Sequence, residues 1–134
     1  MKNLLLSMMV ASIVLAGGCG LGSSHSHSSN DKPVAHMVYF TLIDDSQAAK
    51  DDLVEGCYQY LTNHRGVIYF GAGARAEELD QDINDRDFHV GLHMVFRSQE
   101  HIDPYLNNSR HLKFVDLFKD NWQQVRVFDA FVRP

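Results

Sequence analysis

Apolar residues follow two kinds of pattern along most of the chain. Near-continuous or alternating apolar runs occupy 35–43, 67–74, 87–97 and 122–132, and such runs are typical of strands. Between the first two strands, 47–63 repeats its apolar residues at three- and four-residue spacing, as an amphipathic helix does. Two shorter helical patterns follow the third strand. The pattern therefore predicts the order β-α-β-β-α-α-β.

This order predicts an α+β fold in which a four-stranded antiparallel sheet carries its helices on one face. The other face would then be uncovered. We expect Met37, Tyr39, Phe88, Val90 and Leu92 on that face, and together they would leave a large apolar patch in water. A second copy of the same sheet is the simplest cover, so the pattern predicts a twofold homodimer.

Capping and turn residues mark where the helices begin. Ser46 is predicted to cap the first helix, Asp103 to cap a short helix with Pro104 in its first turn, and Ser109 to cap the last helix. Gly56 lies inside the first helix, where glycine is unfavourable. We expect it to allow a close approach of that helix to the sheet.

The first 18 residues differ in character from the rest of the chain. Lys2 precedes an apolar run at 4–16, which is shorter than the roughly 20 residues that span a bilayer. Such a run is typical of a secretory signal peptide. The small residues before Cys19 resemble a bacterial lipobox, so 1–18 is predicted to be a lipoprotein-type signal peptide and Cys19 to carry the lipid. The alternative is a cleaved signal with an incidental cysteine.

A polar segment and a folded domain follow. Residues 19–33 are rich in serine, glycine and histidine and are predicted to form a flexible linker, which leaves 34–134 as one domain. Lipidation predicts an extracytoplasmic protein anchored to a bacterial membrane. Gly20 is not the aspartate that retains lipoproteins in the inner membrane, so it points to the outer membrane.

Charge and ligand chemistry exclude several classes of function. The net charge is −5 and no basic cluster is present, which argues against nucleic-acid binding. The acidic residues of 75–86 do not have the spacing of an EF-hand calcium loop. His89 and His93 are four apart, but on a strand they would be about 13 Å apart, too far to share one metal ion. We therefore expect no metal and no cofactor, and no disulfide, since Cys57 would have no partner.

Tyr105 and His111 are the most distinctive candidates for chemistry. They are six residues apart, one helical segment ends between them, and an apolar helical face follows. A phenol and an imidazole are side chains that a pocket uses to share or move a proton near neutral pH.

Several short motifs, in this order and spacing, resemble the stress-responsive α/β-barrel (Dabb) family. The resemblance covers about 35–132. It rests on His36-Met37-Val38-Tyr39-Phe40, Gly66-Val67, Gly71, the run from His89 to Phe96, Ser98-Gln99-Glu100, Tyr105, His111, Phe114-Val115, Trp122 and Phe128-Asp129.

The resemblance implies a ferredoxin-like domain whose dimer closes two sheets into a barrel. It implies binding of a small apolar or aromatic ligand or, alternatively, cofactor-free acid–base chemistry like that of a polyketide cyclase or a monooxygenase. In the cyclase case, His111 is the base and Tyr105 its polarising partner, and His36, Tyr58 and His89 complete the pocket. Pro104 and the run at 108–110 depart from the family pattern.

Overall fold

The computed structural model describes residues 32–133. The predicted signal peptide, Cys19 and the linker up to residue 31 lie outside these residues. Seven strands and helices follow in the predicted order, with 3₁₀ turns at Gln99–His101 and Lys119–Asn121. The elements are β1 (Val34–Leu42), α1 (Gln47–Leu61), β2 (Val67–Ala74), β3 (Val90–Phe96), α2 (Ile102–Leu106), α3 (Ser109–Phe118) and β4 (Trp122–Phe131).

The four strands form one antiparallel sheet in the order β2-β3-β1-β4. The first and last strands of the chain are therefore neighbours, and β1 lies inside the sheet. The helices pack on one face, which we call the helix face, and the opposite face is called the open face. The predicted α+β, ferredoxin-like fold with a four-stranded antiparallel sheet is confirmed.

Alternation along the central strands separates the two faces. On the helix face, Val38 and Phe40 of β1 pack with alternate residues of β3 and with Leu53, Cys57 and Leu61 of α1. Val90 and Leu92 belong to this core and are almost fully buried. Their predicted place on the uncovered face was wrong, because the register pairs Leu92 with Val38.

The open face carries the other residues of the same strands. Met37 and Tyr39 of β1 lie beside His93 and Gly91 of β3, and Phe128 of β4 is opposite Met37. Phe88, which precedes β3, packs edge-to-face against Tyr39 with ring centroids 4.8 Å apart. Aromatic side chains therefore dominate a face that no helix of the described residues covers.

Two helix starts differ from the sequence prediction. The Ser46 hydroxyl accepts a hydrogen bond from the Ala49 amide and caps α1, as predicted. The cap of α3 is Asn108, whose side chain accepts from the Arg110 amide, so Ser109 is the first helical residue. Asp103 lies within the first turn of α2 rather than before it. The cap of α3 is thus shifted by one residue and that of α2, at His101, by two, which is the usual uncertainty of helix ends.

Gly56 gives α1 a close neighbour, but the neighbour is a helix rather than the sheet. A Cβ atom at Gly56 would lie 2.3 Å from the Cζ atom of Phe118 in α3. The absence of a side chain here lets the two helices pack with the Phe118 ring against the α1 backbone.

No helix among residues 32–133 has the length and hydropathy needed to cross a membrane.

Candidate functional site

A pocket lies between the helix face of β1 and β4 and the helices α2 and α3. Its volume is about 340 Å³, within the range of small-molecule sites. Its wall is mainly aliphatic and aromatic, with four polar side chains. The lining residues are His36, Val38, Phe40, Leu61, Leu92, Ile102, Tyr105, Leu106, His111, Phe114, Val115, Trp122, Val125, Val127 and Asp129.

Tyr105 is the centre of the polar part of this site. It is 3% exposed, and its ring centroid lies 4.7 Å from that of His111, 5.0 Å from that of His64 and 6.0 Å from that of His36. Burial raises the pKa of the Tyr105 phenol, and negative charge at Cys57 would raise it further. The phenol therefore stays protonated at neutral pH and can donate a hydrogen bond.

His111 has one ring nitrogen fixed and the other free for chemistry. Its Nδ1 lies 2.9 Å from the Leu106 carbonyl oxygen, which can only accept, so Nδ1 carries the proton. In the neutral ring, Nε2 then has the free lone pair. Burial lowers the pKa of His111, and the nearby His64 and His36 lower it further, although the bond to Leu106 acts in the opposite direction. The neutral base is thus the dominant form at pH 7.

The segment that departs from the family pattern positions His111. The Asn108 side chain caps α3, and the guanidinium of Arg110 donates to the carbonyl oxygens of Gln59 and Thr62 at the end of α1. A cation is favourable at that helix end, where unpaired carbonyls carry partial negative charge. Arg110 therefore ties the first turn of α3, and His111 with it, to α1.

His36 forms a second polar pair in the pocket. Its Nδ1 donates to Oδ1 of Asp129 at 2.7 Å, and the two residues are direct partners across β1 and β4. The imidazole is buried, whereas the carboxylate is about half exposed. The pair orients the imidazole ring and leaves its Nε2 available to a ligand.

The structure brings together three of the five predicted site residues: His36, Tyr105 and His111. The prediction that Tyr58 and His89 share their pocket was wrong. Tyr58 is on the side of α1 that faces β2, where its hydroxyl contacts the backbone of Ala72 and its ring packs on Phe70. His89 precedes β3, and its Nδ1 accepts from the Leu42 amide at the far end of β1.

Two residues of the site were not singled out from the sequence. Asp129 had a visible signal, because it is the one carboxylate that alternates with Val125 and Val127 along β4. His64 had none: it follows α1 in the turn before β2, and only the tertiary structure brings its ring against that of Tyr105 in α2. Its Nε2 donates to the Tyr60 carbonyl at 3.0 Å.

Metal and thiol chemistry receive no support from residues 32–133. No three His, Cys, Asp or Glu side chains of this region are grouped as metal ligands. Cys57 is fully buried beneath the sheet, and burial raises the pKa of its thiol to about 12. A thiol in that state is a poor nucleophile.

Comparison with protein families places almost the whole described region in one family. Residues 34–132 match the model described as Stress responsive A/B Barrel Domain (Dabb). No match was found among curated proteins.

Solved structures with the same fold include a Dabb family protein from Mesorhizobium loti. It is 24% identical, with a TM-score of 0.62 over 77% of this chain and 99% of that one. The hydroxynitrile lyase of Passiflora edulis is 19% identical, with a TM-score of 0.61 over 77% and 95%. A dimeric ferredoxin-like protein of unknown function from Thermobifida fusca is 8% identical, with a TM-score of 0.62 over 75% and 92%. At these identities the likeness establishes the fold.

Proposed function

The chain belongs to the stress-responsive A/B barrel (Dabb) family, and from that premise we propose that it is a dimeric barrel domain that binds a small apolar or aromatic molecule. The pocket between the helices and β4 is the binding site. A ligand would place its apolar body against the aliphatic and aromatic wall and a hydroxyl or carbonyl near Tyr105.

The composition of the pocket carries this proposal. Aromatic and aliphatic side chains form most of the wall, and the polar groups converge at one end. Burial of an apolar ligand in such a site contributes about 25 cal/mol per Å² of apolar surface removed from water. A few hydrogen bonds then orient the ligand. Val127 is 50% exposed in the wall and would be covered by a ligand.

Binding can be tested with the fluorescent probe N-phenyl-1-naphthylamine, displaced by small phenols and aromatic ketones. Val127→Asp should abolish probe binding, because it places a charge on the apolar wall. Ile83→Asp is the matched control, since Ile83 is 89% exposed in the loop before β3 and does not line the pocket. Equal loss of binding in both variants, or no binding to the wild type, would contradict the proposal.

A second candidate is acid–base catalysis on a carbonyl compound, and the tautomer of His111 favours it. Nε2 of the neutral ring would take a proton from the carbon next to the carbonyl. The electron pair left behind would form an enolate, whose oxygen would accept a hydrogen bond from the Tyr105 phenol. The fold neighbour described as a hydroxynitrile lyase is an enzyme, which is compatible with such chemistry on this scaffold.

Deuterium exchange separates the two candidates. If His111 is a base, the protein should accelerate exchange of the methyl protons of acetophenone in D₂O, as followed by NMR. His111→Gln should remove the acceleration while leaving probe binding in place. Tyr105→Phe should reduce it by about 10–100-fold, the contribution of one hydrogen bond to a developing charge. No acceleration by the wild type would leave ligand binding as the function.

Dimerisation through the open face is part of the proposal. Exposed aromatic residues on that face, including Tyr69 and Phe128, are unfavourable in water. The neighbour from Thermobifida fusca is described as dimeric. Light scattering at micromolar concentration should give twice the monomer mass, and a monodisperse monomer would contradict it.

We also propose that Cys19 is lipidated and tethers the domain to the outer face of a bacterial cell, on the outer membrane where one is present. The lipobox-like sequence is the support. Metabolic labelling with an alkyne-tagged palmitate should label the wild type but not Cys19→Ser. Cys57→Ser should remain labelled, and labelling of Cys19→Ser would contradict the assignment.

A further inference from the structure

A second cavity borders the pocket where β1 begins and β4 ends. Its volume is about 460 Å³, and its wall shares Ile102 and Asp129 with the wall of the pocket. His36 and Asp129 are partners across β1 and β4 and line the pocket, and Val34 and Phe131, the next partners on the same face of the sheet, line the second cavity. The second cavity is therefore a continuation of the pocket by one step along both strands.

Three carboxylates surround this second cavity, which we call the acidic vestibule. Glu100 belongs to the 3₁₀ turn before α2, Asp103 to α2 itself and Asp129 to β4. No lysine or arginine is among the residues that line the vestibule or the pocket. Within residues 32–133, neither Glu100 nor Asp103 forms an ion pair with a basic side chain. The vestibule therefore offers negative charge that no ion pair of its own neutralises.

His36 adds a buried hydrogen-bond acceptor beside the vestibule. The residue is 6% exposed, and its Nδ1 lies 2.7 Å from Oδ1 of Asp129. A carboxylate can only accept, so Nδ1 carries the proton and Nε2 of the neutral ring presents a lone pair to the pocket. Among the side chains that line the vestibule, the Gln99 amide alone can donate a hydrogen bond. The polar groups at this end of the site are thus almost all acceptors.

We propose that the ligand is a primary amine whose ammonium group binds in the acidic vestibule while its apolar or aromatic body occupies the pocket. The inference rests on the ligand binding proposed above and names the chemical class of that ligand. An ammonium group has a positive charge and three hydrogen-bond donors, so it complements a set of acceptors with uncompensated negative charge. A carboxylate or a phosphate at the same place would meet like charges, and the site therefore discriminates against anionic ligands.

Displacement of N-phenyl-1-naphthylamine by three ligands with the same aromatic body tests this preference. The ligands are 2-(2-naphthyl)ethylamine, 2-(2-naphthyl)ethanol and 2-naphthylacetate. At pH 7 and low ionic strength, the amine should bind about 10-fold more tightly than the alcohol, and the carboxylate should bind more weakly than the alcohol. Equal affinities for the amine and the alcohol would overturn the inference and leave the proposed ligand binding intact. Failure of the probe and of all three ligands to bind would overturn the proposed function with it.

Two double variants with the same change of net charge locate the ammonium group. Glu100→Gln combined with Asp103→Asn should weaken binding of the amine by about 5-fold and leave binding of the alcohol unchanged. Asp52→Asn combined with Glu55→Gln is the control, because both residues are exposed on α1 and line neither cavity. The control should not change the affinity for either ligand. An equal loss of amine binding in both double variants, or no loss in the first, would overturn the assignment to the vestibule.

Discussion

The helix face of the sheet has two halves in which side chains alternate in the same way but differ in how far they are buried. On β3, the inward residues Val90, Leu92, Met94 and Phe96 are fully buried. On β4, the equivalent residues Val125 and Val127 are 37% and 50% exposed. One half is the core of the domain, and the other is the wall of its pocket.

The difference follows from the number of elements in each layer. Two main helices lie across four strands. The α1 helix contacts β2, β3 and α3, and Phe114 of α3 reaches Phe40 on β1. The outer strand β4 therefore has no helix directly above it. The apolar residues of β4 therefore stay partly exposed and line the pocket, whereas the same residue types on β3 are buried in the core.

Truncation in the covered half should have the largest effect on stability. Phe96→Ala should lower the free energy of unfolding by about 3–5 kcal/mol, because it leaves a cavity under α1 and α2. Val127→Ala in the uncovered half should lower it by less than about 1 kcal/mol, because half of the side chain is already in contact with water. Urea unfolding measures both values. Similar losses in the free energy of unfolding at the two positions would contradict the difference between the covered and uncovered halves of the helix face.

The contact between Gly56 of α1 and Phe118 of α3 should set the distance between these two helices. Gly56→Ala removes an unfavourable glycine, worth about 1 kcal/mol in a helix interior, but its Cβ would overlap the Phe118 ring. We expect a net loss of about 1–3 kcal/mol in the free energy of unfolding, as for other overpacked cores. The same substitution with Phe118→Ala should lose less than the sum of the two single changes. A stabilised single variant would mean that α3 can move.

The pH dependence of stability should report on the pocket half. The folded-state pKa of His111 is lowered, mainly by burial, so the neutral form is favoured by folding. Its contribution is fully present above the unfolded-state pKa of about 6.5 and is lost as the pH falls through the folded-state pKa. His111→Gln should flatten this part of the profile, measured by urea unfolding between pH 7.5 and 5. An unchanged profile would contradict the burial of His111.

The smallest effect is expected from the pair between His36 and Asp129. Asp129→Asn keeps a hydrogen-bond acceptor, and the carboxylate is 54% exposed, so stability should change by less than about 1 kcal/mol. Affinity for a phenolic ligand should change more than stability, because the His36 ring would lose its fixed orientation. Asp116→Asn on the surface of α3 is the control and should affect neither quantity.

Much of the fold could be predicted because the local spacing of apolar residues identifies the strands and the first helix. The β2 bounds agree at both ends, α1 and β4 begin at the predicted residues, and the remaining strand and α1 ends differ by one to three residues. The cap of α3 was missed by one residue because Asn108 and Ser109 can both cap. Of the candidate site, Tyr105 and His111 were accessible to sequence reasoning since they flank one short junction. His64 was not, because it lies 41 positions before Tyr105 in the sequence, and only the tertiary fold brings the two rings together.

The sequence by itself determined the order of elements, the residues that alternate along each strand, and the Tyr105 to His111 junction. These depend on interactions within a few residues of the chain. Tertiary structure decided which alternating set faces the helices, and so moved Val90 and Leu92 into the core. It also separated Tyr58 and His89 from the pocket and paired His36 with Asp129, 93 positions away. Strand register and helix coverage are long-range choices, and the periodicity of a single strand reads the same on either face.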